Sequence, residues 1–196
     1  MTKRGIGEEV VKHFDLRFCQ KNLTTEETTL RTRNRIIIPI KNMAGELVSW
    51  QGRDITGKSK VRYLFPSSFK GAQELYNIDA IPASPDYLII TEGVFGAFGW
   101  YRAGIKNVVA TFGKKISKFQ VDVLRIIAPK IIFMAWDSDA TDKKYEFCEL
   151  YGHYFPDIRI VDLAGKDSDE LKRADLLDAL SKASPYSWND KILKLL

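Results

Sequence analysis

The chain has 196 residues, 45% of them hydrophobic and 28% charged, with a formal net charge of +5. That size holds one large domain or two smaller ones, and the composition excludes fibrous and disordered classes. No apolar run approaches the roughly 18 residues of a membrane span, and the acidic turn in MTKRGIGEEVVKHF is unlike a signal peptide.

Taken in chain order, Val10, Val11 and Phe14 space a short opening helix over Gly7–Phe14. Leu23–Arg33 is polar, Thr/Glu-rich and without period, which predicts a loop. Arg35–Ile40 reads as a strand in which Pro39 calls for an edge or a bulge. A turn at Lys41–Gly45 returns the chain along Glu46–Arg53, and a further short strand falls near Val61–Phe65. After Pro82 and Pro85 the pattern changes. Short apolar runs at Tyr87–Thr91, Asn107–Thr111, Lys130–Trp136 and Ile158–Val161 alternate with helical sequence ending near Arg102, Ile127, Tyr151 and Lys182. Such alternation predicts a parallel sheet covered by helices. The expected organisation is therefore a basic α+β subdomain built on an antiparallel hairpin over residues 1–80, an α/β domain over 81–183, and a terminal helix over 184–196.

The charge divides unevenly between these parts. Residues 1–80 carry 14 Lys and Arg against 9 Asp and Glu, whereas residues 81–196 balance at 16 each. Residues 31–70 alone hold nine basic and two acidic side chains, interleaved with Trp50, Tyr63, Phe65 and Phe69. A solvated surface would account for one charge run, but basic and aromatic residues on strands fit a nucleic-acid groove better. Cys19 and Cys148 lie far apart and have no zinc-ligand spacing with His13 and His153, so reduced buried thiols in a cytoplasmic protein are expected, with no zinc and no membrane partner.

In a parallel sheet, ligands bind beyond the carboxyl ends of the strands. The first apolar run ends in Glu92-Gly93, the third in Asp137-Ser138-Asp139, and the fourth is followed by Asp167-Ser168-Asp169. Carboxylates without nearby His or Cys suit Mg²⁺ or Mn²⁺, the ions that neutralise transferring phosphoryl groups. Capping explains any one of them, Asp139 as the N-cap of the following helix for example, but not the three strand ends together.

These motifs resemble a known family. Leu88-Ile-Ile-Thr-Glu-Gly93, Ala103-Gly104-Ile105, Asn107–Ala110 and Asp137-Ser-Asp139 are similar to the Toprim domain of DnaG-type primases, topoisomerases and several nucleases. Upstream, Arg35–Lys41, Gly45, Gly52-Arg53, Tyr63-Leu64, Lys70-Gly71 and Glu74–Tyr76 resemble the N-terminal part of the DnaG-type catalytic core, as does Gly5–Glu9 with Phe14. The likeness spans about residues 5–180.

The resemblance implies a Toprim-type parallel sheet flanked by helices and a metal-dependent nucleotidyltransferase that makes RNA primers on single-stranded DNA from nucleoside triphosphates. Glu92 would be the acid/base or a metal-linked carboxylate. Asp137 and Asp139 would hold Mg²⁺ or Mn²⁺, and Asp167 and Asp169 would complete a second ion's position. Arg35, Arg53, Lys60, Arg62 and Lys70 would line the template groove, and Lys114 and Lys115 would contact triphosphate. A replicative helicase and a separate zinc-binding module would be partners, in a bacterial or phage-infected cell. Two departures stand out: Gly96 replaces the usual Asp four residues after Glu92, and Thr141 replaces a usual Gly. The zinc-binding and helicase-binding parts have no counterpart in these residues, a trimmed layout that fits a phage or mobile-element protein or an excised core. A Toprim nuclease, and a nucleic-acid-binding module with a weakened site, are the competing readings.

Overall fold

The computed structural model describes residues 6–24, 29–137 and 140–186. The chain divides into two compact units, Met1–Lys70 and Gly71–Leu196.

The first unit opens with α1 (Glu8–His13), whose first-turn Glu8 and Glu9 and last-turn Lys12 and His13 complement the helix dipole. Strands β1 (Arg17–Cys19), β2 (Leu23–Thr24), β3 (Thr29–Leu30), β4 (Arg35–Lys41), β5 (Leu47–Asp54) and β6 (Tyr63–Leu64) follow. Four of them form an antiparallel sheet ordered β1-β4-β5-β6, while β2 pairs with β3 alone. The stretch expected as a loop at Leu23–Arg33 thus contains a two-residue ladder, Leu23 against Leu30 and Thr24 against Thr29. Along β4 the pleat buries Ile36, Ile38 and Ile40 on one face and leaves Ile37 and Pro39 half-buried on the other. Pro39 lies beyond Ile37, where pairing with β1 ends, so its missing N–H costs no ladder bond there. The register shift at Ile40/Lys41 is the bulge beside it. The β4–β5 turn is set by Asn42, whose side-chain oxygen accepts from the amides of Ala44 and Glu46, with Gly45 at φ +78°.

The second unit is an α/β layer. Its elements are β7 (Leu88–Thr91), α2 (Val94–Arg102), β8 (Val108–Ala110), α3 (Lys118–Ile127), β9 (Ile132–Met134), α4 (Thr141–Tyr151), β10 (Ile158–Ile160), α5 (Arg173–Ser181) and β11 (Ser184–Pro185). The sheet order is β11-β10-β9-β7-β8, parallel except for β11. Strands β7, β8 and β9 are buried throughout, as expected of a sheet covered on both faces. Helix α2 is also buried nearly all round, which accounts for its almost entirely apolar sequence VFGAFGWYR. Helix α3 starts with a reciprocal capping box: Ser117 Oγ accepts the Gln120 amide while Gln120 Oε1 accepts the Ser117 amide.

Residues 71–80, placed with the first part because the strand pattern changes after Pro82, pack on this second unit. Leu75 and Ile78 enter its core, Tyr76 bridges to Ala110, and Gln120 Nε2 donates to the carbonyls in this segment. Asn77 Nδ2 donates to the Val108 carbonyl at 2.8 Å, so the segment covers the open edge of β8. At the opposite edge, Ser184-Pro185, expected to begin a helix, pairs antiparallel with β10 instead. The residue before a proline favours extended backbone, and an edge strand tolerates the missing N–H. Residues 187–196 of the expected tail helix lie outside the described residues, in which no helix is long and apolar enough to cross a membrane.

Of the two cysteines, Cys148 is buried in α4 and Cys19 half-buried in β1. Loss of solvent pushes the Cys148 thiol up to about 12 from its ordinary 9.0. The unfolded chain therefore releases this proton first, so stability should fall as pH rises from about 9 toward 12. Urea midpoints across that window should decline less steeply in Cys148→Ala than in the parent protein. Ala128 ends α3 in the left-handed region, exposed, at φ +52°. Ala128→Gly relieves about 1–2 kcal/mol of strain against about 0.4–1 kcal/mol of added unfolded-chain entropy, so a net gain of about 0.5 kcal/mol is expected by urea denaturation.

Candidate active site

The parallel register puts two of the expected acids at neighbouring strand ends. Ile90 of β7 stands opposite Met134 of β9, and the Ala135 amide donates to the Ile90 carbonyl at 2.9 Å. Glu92 follows Ile90 by two residues, and Asp137 follows Met134 by three. Both are half-buried, with Glu92 Oε2 withdrawn from solvent.

The main chain around Glu92 is fixed from the β8 side. The Thr111 amide donates to the Thr91 carbonyl at 3.1 Å and the Gly113 amide to the Glu92 carbonyl at 3.1 Å. Thr91 Oγ1 lies 3.2 Å from the carbonyls of Gly93 and Val109, and Thr111 Oγ1 lies 2.7 Å from that of Gly113. To make this return the chain places Phe112 at φ +61°, a region that bulky side chains rarely adopt. The ring of Phe112 meets buried Tyr76 edge to face at 6.2 Å, which holds the turn in place.

Lys114 and Lys115 continue from this turn and are exposed. They border a small pocket of about 30 Å³ with Trp136, Lys143, Glu146 and Phe147. The Glu146 carboxyl is held below its ordinary range by the hydrogen-bonding Lys143 ammonium, with a smaller contribution from Lys115. Lys115 is thus near the α4 surface.

Asp167 is exposed and Asp169 buried, on the segment that leads into α5. This segment is tied to α2: Arg102 Nη2 donates to the carbonyls of Asp169 at 3.2 Å and Leu171 at 3.0 Å. Asp139 lies outside the described residues. The donor set fits a hard divalent cation, being carboxylate without imidazole or thiolate: His13 is on α1 and His153 follows α4. Among the described residues no three acids, His or Cys form a ready-made metal-binding group.

In the first unit, the expected basic residues separate into two kinds. Lys60, Arg62 and Lys70 are exposed, and Arg53 is half-buried. The guanidinium of Arg53 lies over the Tyr63 ring at 4.5 Å and that of Arg62 at 5.8 Å, making a basic-aromatic surface on β5 and β6. Arg35, expected in the groove, is instead an internal clamp, 3% exposed. Its Nε donates to the Arg31 carbonyl at 2.9 Å, Nη1 to those of Gly52 at 3.3 Å and Arg62 at 3.4 Å, and Nη2 to Ser59 Oγ at 2.9 Å and the Val61 carbonyl at 2.8 Å. Gly52 makes room for it, because a Cβ there would stand 3.2 Å from Arg35 Cδ. The fork of donors matches a curled main chain, which no point charge would do. Sequence reasoning missed this role; the one signal was Gly52 opposite Ile37 in the hairpin.

Arg35→Met keeps the stem and removes the donors. Loss of several hydrogen bonds to a charged group should cost about 2–4 kcal/mol, read as a lowered urea midpoint at unchanged slope.

Comparison with known proteins agrees with this architecture. Residues 19–81 match the family model of the DNA primase catalytic core, N-terminal domain. The DNA primase of Clostridium acetobutylicum is 32% identical over 153 residues, covering 73% of this chain and 25% of that protein. The Staphylococcus aureus DNA primase is 34% identical over 114 residues, covering 56% and 19%. The chain thus spans about a quarter or less of the length of these relatives. Among solved structures, the DnaG catalytic core superposes with a TM-score of 0.77 at 22% identity, covering 93% of this chain and 71% of that one. A DnaG primase catalytic domain bound to single-stranded DNA gives 0.76 at 20% identity, covering 93% and 70%. In fold, and in sequence over both units, the chain is similar to the catalytic core of the DnaG-type DNA primases.

Proposed function

We propose that this chain is the catalytic core of a primer-synthesising enzyme, joining ribonucleotides on a single-stranded DNA template. The observation that carries the reading is the placement of Glu92 and Asp137 past the carboxyl ends of adjacent parallel strands, in a chain whose sequence relatives are DNA primases. A DnaG catalytic domain with bound single-stranded DNA supports the template assignment.

Asp137 and Asp139 would hold one divalent cation, and Asp167 and Asp169 would complete the position of a second. An Mg²⁺ or Mn²⁺ held there would neutralise the charge that builds as the 3′-oxygen bonds to the α-phosphorus and pyrophosphate departs. The chain's own residues do the remainder. Glu92, fixed through its main chain by Gly113, offers a carboxylate to the primer 3′-hydroxyl proton. Lys114, on the turn that follows, offers a cation to the triphosphate, and Lys115 stands further toward α4. Arg53, Arg62, Lys60 and Lys70 offer positive charge to template phosphates, and Tyr63 offers a ring face to a base. A helicase and a zinc-binding module would recruit and select the template. The structure of the Aquifex aeolicus primase zinc-binding and RNA polymerase domains, which superposes here with a TM-score of 0.77, supports the second of these partners.

The test is incorporation of labelled ribonucleotides on single-stranded DNA with Mg²⁺ or Mn²⁺, with a zinc-binding module supplied in trans where needed. Asp137→Asn should lower incorporation by at least about 100-fold, as loss of a central electrostatic contact does. Template binding should weaken only slightly. Cleavage of labelled nucleic acid without nucleotide consumption would show a Toprim nuclease instead. Single-strand binding indifferent to both metal and Asp137→Asn, with no incorporation, would leave only a nucleic-acid-binding module.

A further inference from the structure

The segment carrying Asp167 and Asp169 approaches helix α2 more closely than a side chain would allow. A Cβ on Gly99 would stand 2.5 Å from the Ser168 carbonyl oxygen, 2.7 Å from its carbonyl carbon and 2.9 Å from the Asp169 amide nitrogen. All three are main-chain atoms, so no rotamer change relieves the overlap. Ser168 and Asp169 are 1% and 7% exposed, so the contact is buried.

Polar links extend the contact along the helix. Arg102, three residues after Gly99, donates to the carbonyls of Asp169 and Leu171, and Arg173 Nε donates back to the Ala103 carbonyl at 2.9 Å. At its other end α2 begins at Val94, capped by Gly93 immediately after Glu92. One short buried helix therefore carries Glu92 at its start and the third acidic segment along its flank.

We propose that Gly99 and Arg102 are positioning residues for the active site. They fix the main chain of Ser168–Asp169 against α2 and so set the height of the Asp167 and Asp169 carboxylates relative to Glu92. Gly99 does this by leaving room for the close approach, and Arg102 by filling two carbonyls that would otherwise drift. Neither touches substrate. The proposal depends on the reading of these acids as cation ligands and adds which residues set the second ion's position.

Two variants test it, so that a general packing defect in Gly99→Ala is separated from loss of the clamp. Arg102→Met keeps the stem and removes the two donated bonds. In each, amide exchange in residues 167–171 is compared with exchange in α3, and Mn²⁺ binding is titrated by electron paramagnetic resonance. Exchange in 167–171 should accelerate at least about tenfold while α3 is unchanged. One of the two Mn²⁺ affinities should fall about 10–100-fold, the range that supporting residues of metal ligands command, with the other unmoved. Unchanged exchange in both variants overturns the clamp. Faster exchange with both Mn²⁺ affinities and nucleotide incorporation unaltered overturns the positioning role, leaving a contact that only stabilises the fold. Parent protein that binds no Mn²⁺ overturns the metal reading itself, and the exchange data distinguish that result from a failed clamp.

Discussion

The parallel ladder of Leu88–Thr91 with its neighbours is the constraint on which the second unit depends. Every residue of β7 is buried, and the strand is flanked by β8 on one side and β9 on the other. Parallel pairing makes the strands end together on one side of the sheet, and the chain must leave the pleat there with its polar groups satisfied. Here the exits are Glu92-Gly93, Thr111–Gly113 and Ala135–Asp137, cross-linked by main-chain bonds from Thr111, Gly113 and Ala135. Glu92 at such an exit has its carbonyl held by Gly113, with the preceding Thr91 and Ile90 tied to Thr111 and Ala135. Short, ordinary segments thus hold acids with the rigidity that the proposed charge stabilisation would require.

Much of this was legible because burial leaves a mark on sequence. A strand covered on both faces must be apolar at consecutive positions, so Leu88–Ile90, Val108–Ala110 and Ile132–Met134 announced themselves, and with them the acidic exits. The antiparallel hairpin was equally visible, through Pro39 and the Asn42–Gly45 turn. What stayed hidden were contacts between segments distant in sequence. Arg35 was given a groove role by the family resemblance, whereas its carbonyl partners come from Arg31, Gly52, Val61 and Arg62, a geometry that only the folded sheet creates. The packing of residues 71–80 was equally hidden: Leu75, Asn77 and Ile78 join partners in the α/β layer that lie far along the chain. Gly99 was invisible for the same reason, since its partner is 69 residues away.

The correction at Arg35 also changes what the basic charge means. Of nine basic residues in 31–70, one is spent internally. Its donors hold the main chain at Val61 and Arg62, between β5 and β6, so the exposed Lys58, Lys60 and Arg62 are presented on a fixed rather than a fluctuating loop. Preorganised cations lose less entropy when they meet a polyanion than cations on a mobile segment. A buried guanidinium that shapes the loop can therefore serve binding without touching the ligand.

Position 96 shows the same logic in the acidic unit. The family pattern places an Asp there; this chain has Gly, and a Cβ would come within 3.0 Å of Thr91 Cβ and 3.4 Å of its hydroxyl. Thr91 is 1% exposed, and its hydroxyl is engaged with the carbonyls at the end of β7. Being β-branched, it has little rotamer freedom with which to yield. The absence of a carboxylate at 96 is therefore built into the packing beneath Glu92 and is not a simple vacancy that one substitution would refill. With that position closed, the proposed cation site would draw on the acids at the strand exits and on the segment pressed against α2. The short contact at Gly99 then matters more than it would if a further ligand projected from α2 itself.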